Sequence, residues 1–515
     1  MKKKLFNGIL ASVLALSLLT ACGGQEALQS QDVIDKNDGG KVEGSEDGNQ
    51  SQVELQSYED TFTGRDLEQV ADLDAAIYVN LSEEAITIDG RGAVAEGNVV
   101  TFTDEGVYVI SGSLSDGQLV VDAAKEDKIQ LVLQGVSITN VSSAALYVKQ
   151  ADKVFVTTGA GTDNSLQTTG EFVAEDDNNV DGAVFAKEDI IFNGEGTLTI
   201  NCASDHGIVG KDDIKITGGT ITVDADGDGL QANDGIYIAD GNVSVLNSYE
   251  GLEAQNISIW NGNITIIAED DGVNGAGGND GSGQSFGGDN PFAADLSCNV
   301  AIYDGVIKIS ADGDGLDSNG NLVINGGEIY VNGPTNGGNG AIDYGGSGIV
   351  NGGILVATGA DTMAENMSRD STQCTMMVTL AGQMLEAEIV VSDENGNVIL
   401  THTPDKKYNN VVISHPDFEI GKTYTVSAGE NTVEVTFESI IYGQGMMNGG
   451  HGGFGGHNGF DGGKGNGGQG GRGERPDMGE LPEMPEGMTP PDMGEMPEGM
   501  TPPEGMENMP QPPGN

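Results

Sequence analysis

Residues 205–266 state one theme three times: DHGIVGKDDIKITGGTITV from Asp205, DGLQANDGIYIADGNVSV from Asp228 and EGLEAQNISIWNGNITI from Glu250. Each copy opens on an acidic residue and a glycine, runs through a short β-branched strand, turns at a Gly-containing corner and enters a second strand. Related copies begin at Asp181, Asp271, Asp314 and Asn339, and from Asp181 to Asp271 the starts lie 24, 23, 22 and 21 residues apart. A self-similar period of this length, built from alternating strands and without a helical pattern, predicts an all-β parallel solenoid in which each repeat is one rung. An acidic residue then recurs at one corner of every turn.

Composition divides the rest of the chain. Lys2–Lys4 followed by the apolar run 5–19 has the layout of an export signal, and Leu19-Thr20-Ala21-Cys22 has that of a bacterial lipobox, so residues 1–21 are expected to be a lipoprotein signal peptide and Cys22 the lipidated residue. Residues 22–60 are polar and acidic and read as a flexible tether. Residues 61–365 hold the rung pattern, with entry rungs before Asp181. A different pattern of alternating strands occupies 366–442, including SDENGNVIL with its Asn-Gly turn, and is expected to cap the last rung, whose open edge would otherwise template aggregation. Residues 443–515 are Gly-rich and then Pro/Met/Glu-rich and cannot bury a core. His451 and His457 in that tail are expected to be solvated. The protein is therefore expected outside the cytoplasm, held to the cell membrane by lipid.

With 80 acidic against 22 basic residues, a formal net charge of -58, the chain lacks the cations that binding a polyphosphate demands, which argues against nucleic acid. Hard oxygen donors instead favour Ca²⁺ or Mg²⁺. Cys202, Cys298 and Cys374 leave an odd number after Cys22, and no CxxC or Cys/His cluster is present. Cys202 and Cys298 fall about four rungs apart, or roughly 19 Å at the strand spacing. A disulfide needs Cα atoms within about 7 Å, so the pair is expected to be reduced and packed.

The acidic corner carries the chemistry. Equivalent carboxylates on neighbouring rungs, about 4.8 Å apart, repel by about 0.9 kcal/mol even with the full dielectric of water. Asp205, Asp228, Glu250, Asp271 and Asp314 are expected to form such a column, flanked by Asp270 and Asp312, with Asn274, Asn279, Asp280 and Asp317 as further oxygen ligands for calcium. The competing explanation is that Asp and Asn stand here because they tolerate left-handed turns and cap backbone amides. His206 reads as a turn residue. Trp260, Tyr237, Tyr303, Tyr330 and Tyr344 read as packing or rim, and the Gly-rich excursion 275–297 as a loop lifted from the scaffold.

Four stretches carry a resemblance: FTDEGVYVISGSLSDGQLVVDA (102–123), LQGVSITNVSSAALYVKQADKVFVTTGAGTDNSL (133–166), DDGVNGAGGNDGSG (270–283) and ILTHTPDKKYNNVVISHPDFEIGKTYTVSAG (399–429). In this order they resemble the bacterial carbohydrate-binding domain-containing protein family, over roughly residues 75 to 440. The resemblance implies a right-handed parallel β-helix, pectate-lyase-like in shape, with calcium on its surface and with acidic sugar polymers or cellulose as partners, and no established catalysis. An alternative is calcium-dependent β-elimination of a uronate polymer, for which Lys187 and Lys211, at one repeat position, would supply the base. Those lysines also balance Glu188, Asp189, Asp212 and Asp213. A structural adhesin or spacer, its calcium only stiffening the shaft, is a third class.

Overall fold

In the computed structural model, residues 53, 55–174, 178–276, 294–382 and 385–443 are described. The signal, Cys22, most of the tether, Asn279, Asp280, His451 and His457 lie outside them. The described residues are nearly all β, with one four-residue helix, Tyr58–Thr61.

From residue 118 onward each repeat contributes one strand to each of three parallel ladders. The first holds Gln118–Asp122, Leu146–Gln150, Gly182–Ala186, His206–Gly210, Leu230–Ala232, Leu252–Ala254, Val273–Gly275 and Leu316–Ser318. The second runs from Lys153–Thr158 through Asp189–Gly194, Asp213–Ile216, Gly235–Ile238, Asn256–Ile259, Asn299–Ile302 and Asn321–Ile324 to Gly348–Val350. The third runs from Asp163–Thr168 through Thr197–Cys202, Thr220–Ala225, Asn242–Asn247, Asn263–Ala268, Val306–Ala311 and Glu328–Asn332 to Ile354–Gly359. Alternation decides which side chains face inward: in Asn263–Ala268 every second residue is buried. Val184, Ile208, Leu230, Leu252, Val273 and Leu316 of the first ladder share one apolar cluster with Ile214, Ile236 and Ile257 of the second and Ile200, Val223 and Ile266 of the third.

Corners between the second and third ladders turn on glycine. Gly305 has φ +101°, and a Cβ there would stand 2.7 Å from the Gly262 carbonyl oxygen of the rung before it. Positive φ and backbone contact each exclude a side chain. At the far end, Asn410–Ser414 pairs antiparallel with Ile354–Gly359 and with Thr375–Thr379, which covers the edge of the third ladder. The strands Val398–His402, Ile389–Asp393, Thr423–Ala428 and Asn431–Thr436 form a separate four-stranded antiparallel sheet with its own core around Tyr408, Tyr424 and Phe437. Cys202, Cys298 and Cys374 are free and buried.

Residues 56–69 lie along the outer side of the second ladder, a contact without periodicity in the sequence. Tyr303 Oη donates to the Gln56 carbonyl at 3.2 Å, Tyr58 and Phe62 pack edge-on against Trp260, and Arg65 sits over the Phe155 ring. Fully buried Asp66 pairs with Lys153 at 3.2 Å. Gln69 bridges two rungs, donating to Thr217 O and accepting from Gly194 N. Trp260 also stacks on Tyr303, Tyr330 on His402, and Tyr344 donates to Asn366 O, so these aromatic rings are packing residues.

Candidate metal centre

The corner leading into the first ladder gathers the acidic residues. Backbone bonds run from Gly207 N to Asp228 O, Gly229 N to Glu250 O, Gly251 N to Asp271 O, Gly272 N to Asp314 O and Gly315 N to Gly340 O. Asp228, Glu250, Asp271 and Asp314 are therefore in line. Asp205 is not. Gly182 is opposite His206, and Ile208 opposite Leu230, so His206 occupies the column position and Asp205 stands one residue outside it. The Asp205 turn has one residue more than the Asp228 turn, and the column member opposite Asp314 at the other end is Gly340, not Asn339.

His206 is more than a turn residue. Its Nε2 lies 3.1 Å from Asp205 Oδ1 and its Nδ1 3.0 Å from Asp228 Oδ2. Burial opposes its protonation, but the hydrogen bond to Asp228 and the fields of Asp228, Asp205 and Asp181 outweigh burial and raise its pKa. The imidazole thus stands between the two acids, and its Nδ1 also accepts from Asp228 N at 2.9 Å.

A second column stands three residues after the first. Gln231, Glu253, Asn274 and Asp317 are opposite one another in successive rungs. Together the columns use the strand DGLQ, EGLE, DGVN and DGLD at its first and fourth positions. Gln231 donates to Asp228 Oδ2 at 3.1 Å and to Glu253 Oε2 at 2.7 Å, and Asn274 donates to Glu250 Oε2 at 3.0 Å. Glu253 and Gln231 escaped the sequence reading because their side of the corner is not uniformly acidic.

Three carboxylates converge: Asp271, Asp314 and Asp317 present oxygens all within 4.8 Å of one another. Asp271 Oδ1 accepts from Asp314 N and Asp314 Oδ1 from Gly340 N, both at 2.5 Å, while Asp228 Oδ1 accepts from Glu250 N at 3.0 Å. Amide capping is thus real, and it engages one oxygen of each carboxylate. Left-handed turn geometry is not the reason for these residues, since Asn179 alone among described non-glycine residues has positive φ. Burial, then the fields of neighbouring carboxylates, pushes Glu250 up to about 9; burial and Asp271 take Asp314 to about 7, and burial with the fields of Asp271 and Asp314 holds Asp317 well above the ordinary carboxylate range.

The donor set fits a hard divalent cation. Every converging atom is oxygen. Asn274 is 7% exposed, and its Oδ1 is buried with no hydrogen-bond donor. Gly313 is a cradle as well, for a Cβ there would stand 2.3 Å from Asp270 Oδ1 and 2.4 Å from Asp271 Oδ1. Asp312, in contrast, is drawn off by Lys406 of the C-terminal region at 2.5 Å. Lys187 and Lys211 are not brought to this centre. Lys211 follows Gly210, three rungs before Gly275, or about 14 Å along the stack, and its Nζ lies 5.4 Å from the Phe185 ring centre.

The family model for carbohydrate-binding domain-containing protein matches residues 96–313. A carbohydrate-binding domain-containing protein of Acetivibrio thermocellus is 34% identical over 217 residues, which are 42% of this chain and 63% of that relative, so the match spans less than two thirds of the relative's length. A solved polysaccharide lyase-like protein from C. thermocellum, a gadolinium derivative, aligns at 29% identity with a TM-score of 0.41, covering 54% of this chain and 99% of its own. Residues 96–313, which hold the column from His206 through Asp271 and stop one residue short of Asp314, are thus similar to the carbohydrate-binding domain-containing protein family.

Proposed function

We propose that this chain captures acidic polysaccharide outside the cytoplasm, through calcium held at the corner of a right-handed parallel β-helix whose faces are the three ladders. The observation that carries the reading is the convergence of Asp271, Asp314 and Asp317 beside the donorless Oδ1 of Asn274. These four residues would hold the ion. Bound calcium would neutralise the carboxylates and offer remaining coordination positions to sugar carboxylates and hydroxyls. A surface with this much negative charge repels a polyanion, so capture without a bridging cation is disfavoured. The family match supports a sugar partner, and open positions on a bound cation would favour one that carries carboxylates.

The remaining organisation belongs to the same proposal. Residues 1–21 direct export, Cys22 carries lipid, 22–60 tether the body, 61–365 form the β-helix, 366–442 cap it and 443–515 are the Gly-rich and Pro/Met/Glu-rich tail. Among the described residues no helix is long and apolar enough to cross a membrane. The test is retention of polygalacturonate by the full chain with calcium and with chelator. Retention in calcium and release in chelator is expected; equal retention in both, or none in either, overturns the calcium-bridged reading.

A further inference from the structure

Three large apolar side chains near the carboxylate column are exposed to solvent. Leu246 is 49% exposed, Tyr249 45% and Ile267 48%. They fall on two adjacent rungs of one corner. Leu246 is there because of a β-bulge: Val223 is opposite Val245 but Asp224 is opposite Asn247, so Leu246 is an additional residue in its strand. Bulges of this kind re-aim side chains and gather beside functional sites.

The corner that presents them is firmly held. Asn247 Nδ2 donates to Ala225 O at 2.7 Å, Tyr249 N to Gly227 O at 2.8 Å, Asp270 N to Tyr249 O at 2.8 Å, and Ser248 Oγ to Ile267 O at 3.2 Å. Tyr249 is equivalent to Gly227 on the rung before it and to Asp270 on the rung after. The glycine puts no side chain beside the ring, and the neighbouring Asp270 carboxylate raises the pKa of the Tyr249 hydroxyl. Asp270 directly precedes Asp271 of the three-carboxylate cluster, so the apolar patch and the cluster are neighbours one rung apart.

We propose that Leu246, Tyr249 and Ile267 form a stacking subsite for the C–H face of a sugar ring in an acidic polysaccharide whose neighbouring unit reaches the Asp271, Asp314 and Asp317 cluster. This rests on the calcium-bridged reading above. A pyranose has one ring face rich in C–H groups and polar groups around its edge, which is the complement of an aromatic ring bordered by aliphatic side chains and ending in carboxylates. Successive rungs advance by about 4.8 Å, close to the advance of one sugar in an extended polymer, so adjacent units can address patch and cluster together. Size argues against a protein occupant, since three half-exposed side chains fall far short of the roughly 800 Å² per partner of a stable protein interface.

The experiment measures polygalacturonate affinity and calcium-dependent melting of the full chain for the parent, Tyr249→Ala, Tyr249→Phe and Leu246→Ser/Ile267→Ser. Tyr249→Ala and the double variant are expected to weaken binding about three- to tenfold, with Tyr249→Phe close to the parent. Calcium should raise the melting temperature of all four equally. Parent binding with an undiminished Tyr249→Ala overturns the subsite and leaves the calcium reading standing. Failure of the parent to bind overturns both. Equal losses in Tyr249→Ala and Tyr249→Phe assign the effect to the hydroxyl and overturn stacking, as does loss of the calcium response in Tyr249→Ala. A parent that sediments as a dimer and a Tyr249→Ala that sediments as a monomer would give the patch to a second copy of the chain instead.

Discussion

Asn274 reaches back one rung and donates from Nδ2 to Glu250 Oε2 at 3.0 Å. An amide carries its nitrogen and oxygen on opposite sides, so tying the nitrogen to Glu250 turns Oδ1 away from it, into the buried corner where that oxygen has no donor. Leaving a buried acceptor unsatisfied costs about 1–3 kcal/mol, and three carboxylates close by add repulsion. A divalent cation removes both penalties at once.

Calcium should therefore stabilise the fold measurably. An ion bound only by the native state contributes about 2.7 kcal/mol at a hundredfold excess over Kd. Thermal unfolding in calcium and in chelator should give a clear downward shift on chelation, blunted in Asp317→Asn and in Asn274→Leu. Asp312→Asn serves as the contrast, since Lys406 already holds that carboxylate away from the cluster, and it should keep the full calcium response. Identical melting of the parent in calcium and chelator would remove the metal from the account.

Breaking the Asp66–Lys153 pair should release the segment that lies along the second ladder. Asp66 is fully buried, and removing one partner of a buried pair costs up to about 3–5 kcal/mol, lessened here because Lys153 keeps Asp189 at 3.6 Å. Trp260 is the single tryptophan of the chain and is packed under Tyr58 and Phe62. Asp66→Ala should lower the melting temperature and shift the fluorescence of Trp260 to the red. A destabilised variant with unshifted emission would mean that the segment stays docked without its ion pair.

A pH effect should come from Asp212, outside the metal corner. Burial first, then the fields of Asp189, Asp213 and Asp234, raises it from 3.8 to about 6. A carboxyl raised on folding contributes stability that is fully present below its unfolded pKa and is lost as pH rises through the folded value. Stability from this group should thus decline between about pH 4 and pH 6. Asp212→Asn should melt higher than the parent at pH 8 and equally at pH 3.5, with the gap opening across that window. A gap of the same size at both pH values would assign the effect to packing.

Much of the fold was legible because a rung imposes its own spacing: the glycine that no Cβ can replace and the buried hydrophobic residue next to it recur together, as in Gly229-Leu230 and Gly251-Leu252. The exact register at the ends was not. Asp205-His206-Gly207 has an additional residue that a D-G pattern cannot reveal, and only the pairing of Ile208 with Leu230 puts His206 in the column. Asp271, Asp314 and Asp317 were readable as acids at rung corners, but their convergence depends on side chains meeting from the first and fourth positions of neighbouring strands. Tyr249 was missed for a related reason. A single bulge at Leu246 sets its surroundings, and a bulge leaves the hydrophobic alternation almost intact.

The last prediction separates capture from cleavage. β-Elimination needs a base within reach of the α-proton of a uronate whose carboxylate sits on the cation. Lys211 is about 14 Å along the stack from the Asp271 rung, its ammonium lies over the Phe185 ring, and it is attracted to Asp181. Lys187 is one rung farther still. Incubating polygalacturonate with the calcium-loaded chain should yield no rise in the ultraviolet absorbance of unsaturated sugar ends, and Lys211→Ala should retain the polymer as the parent does. Steady growth of that absorbance, abolished in Lys211→Ala, would require a substrate path across three rungs and would replace the binding reading with a lyase.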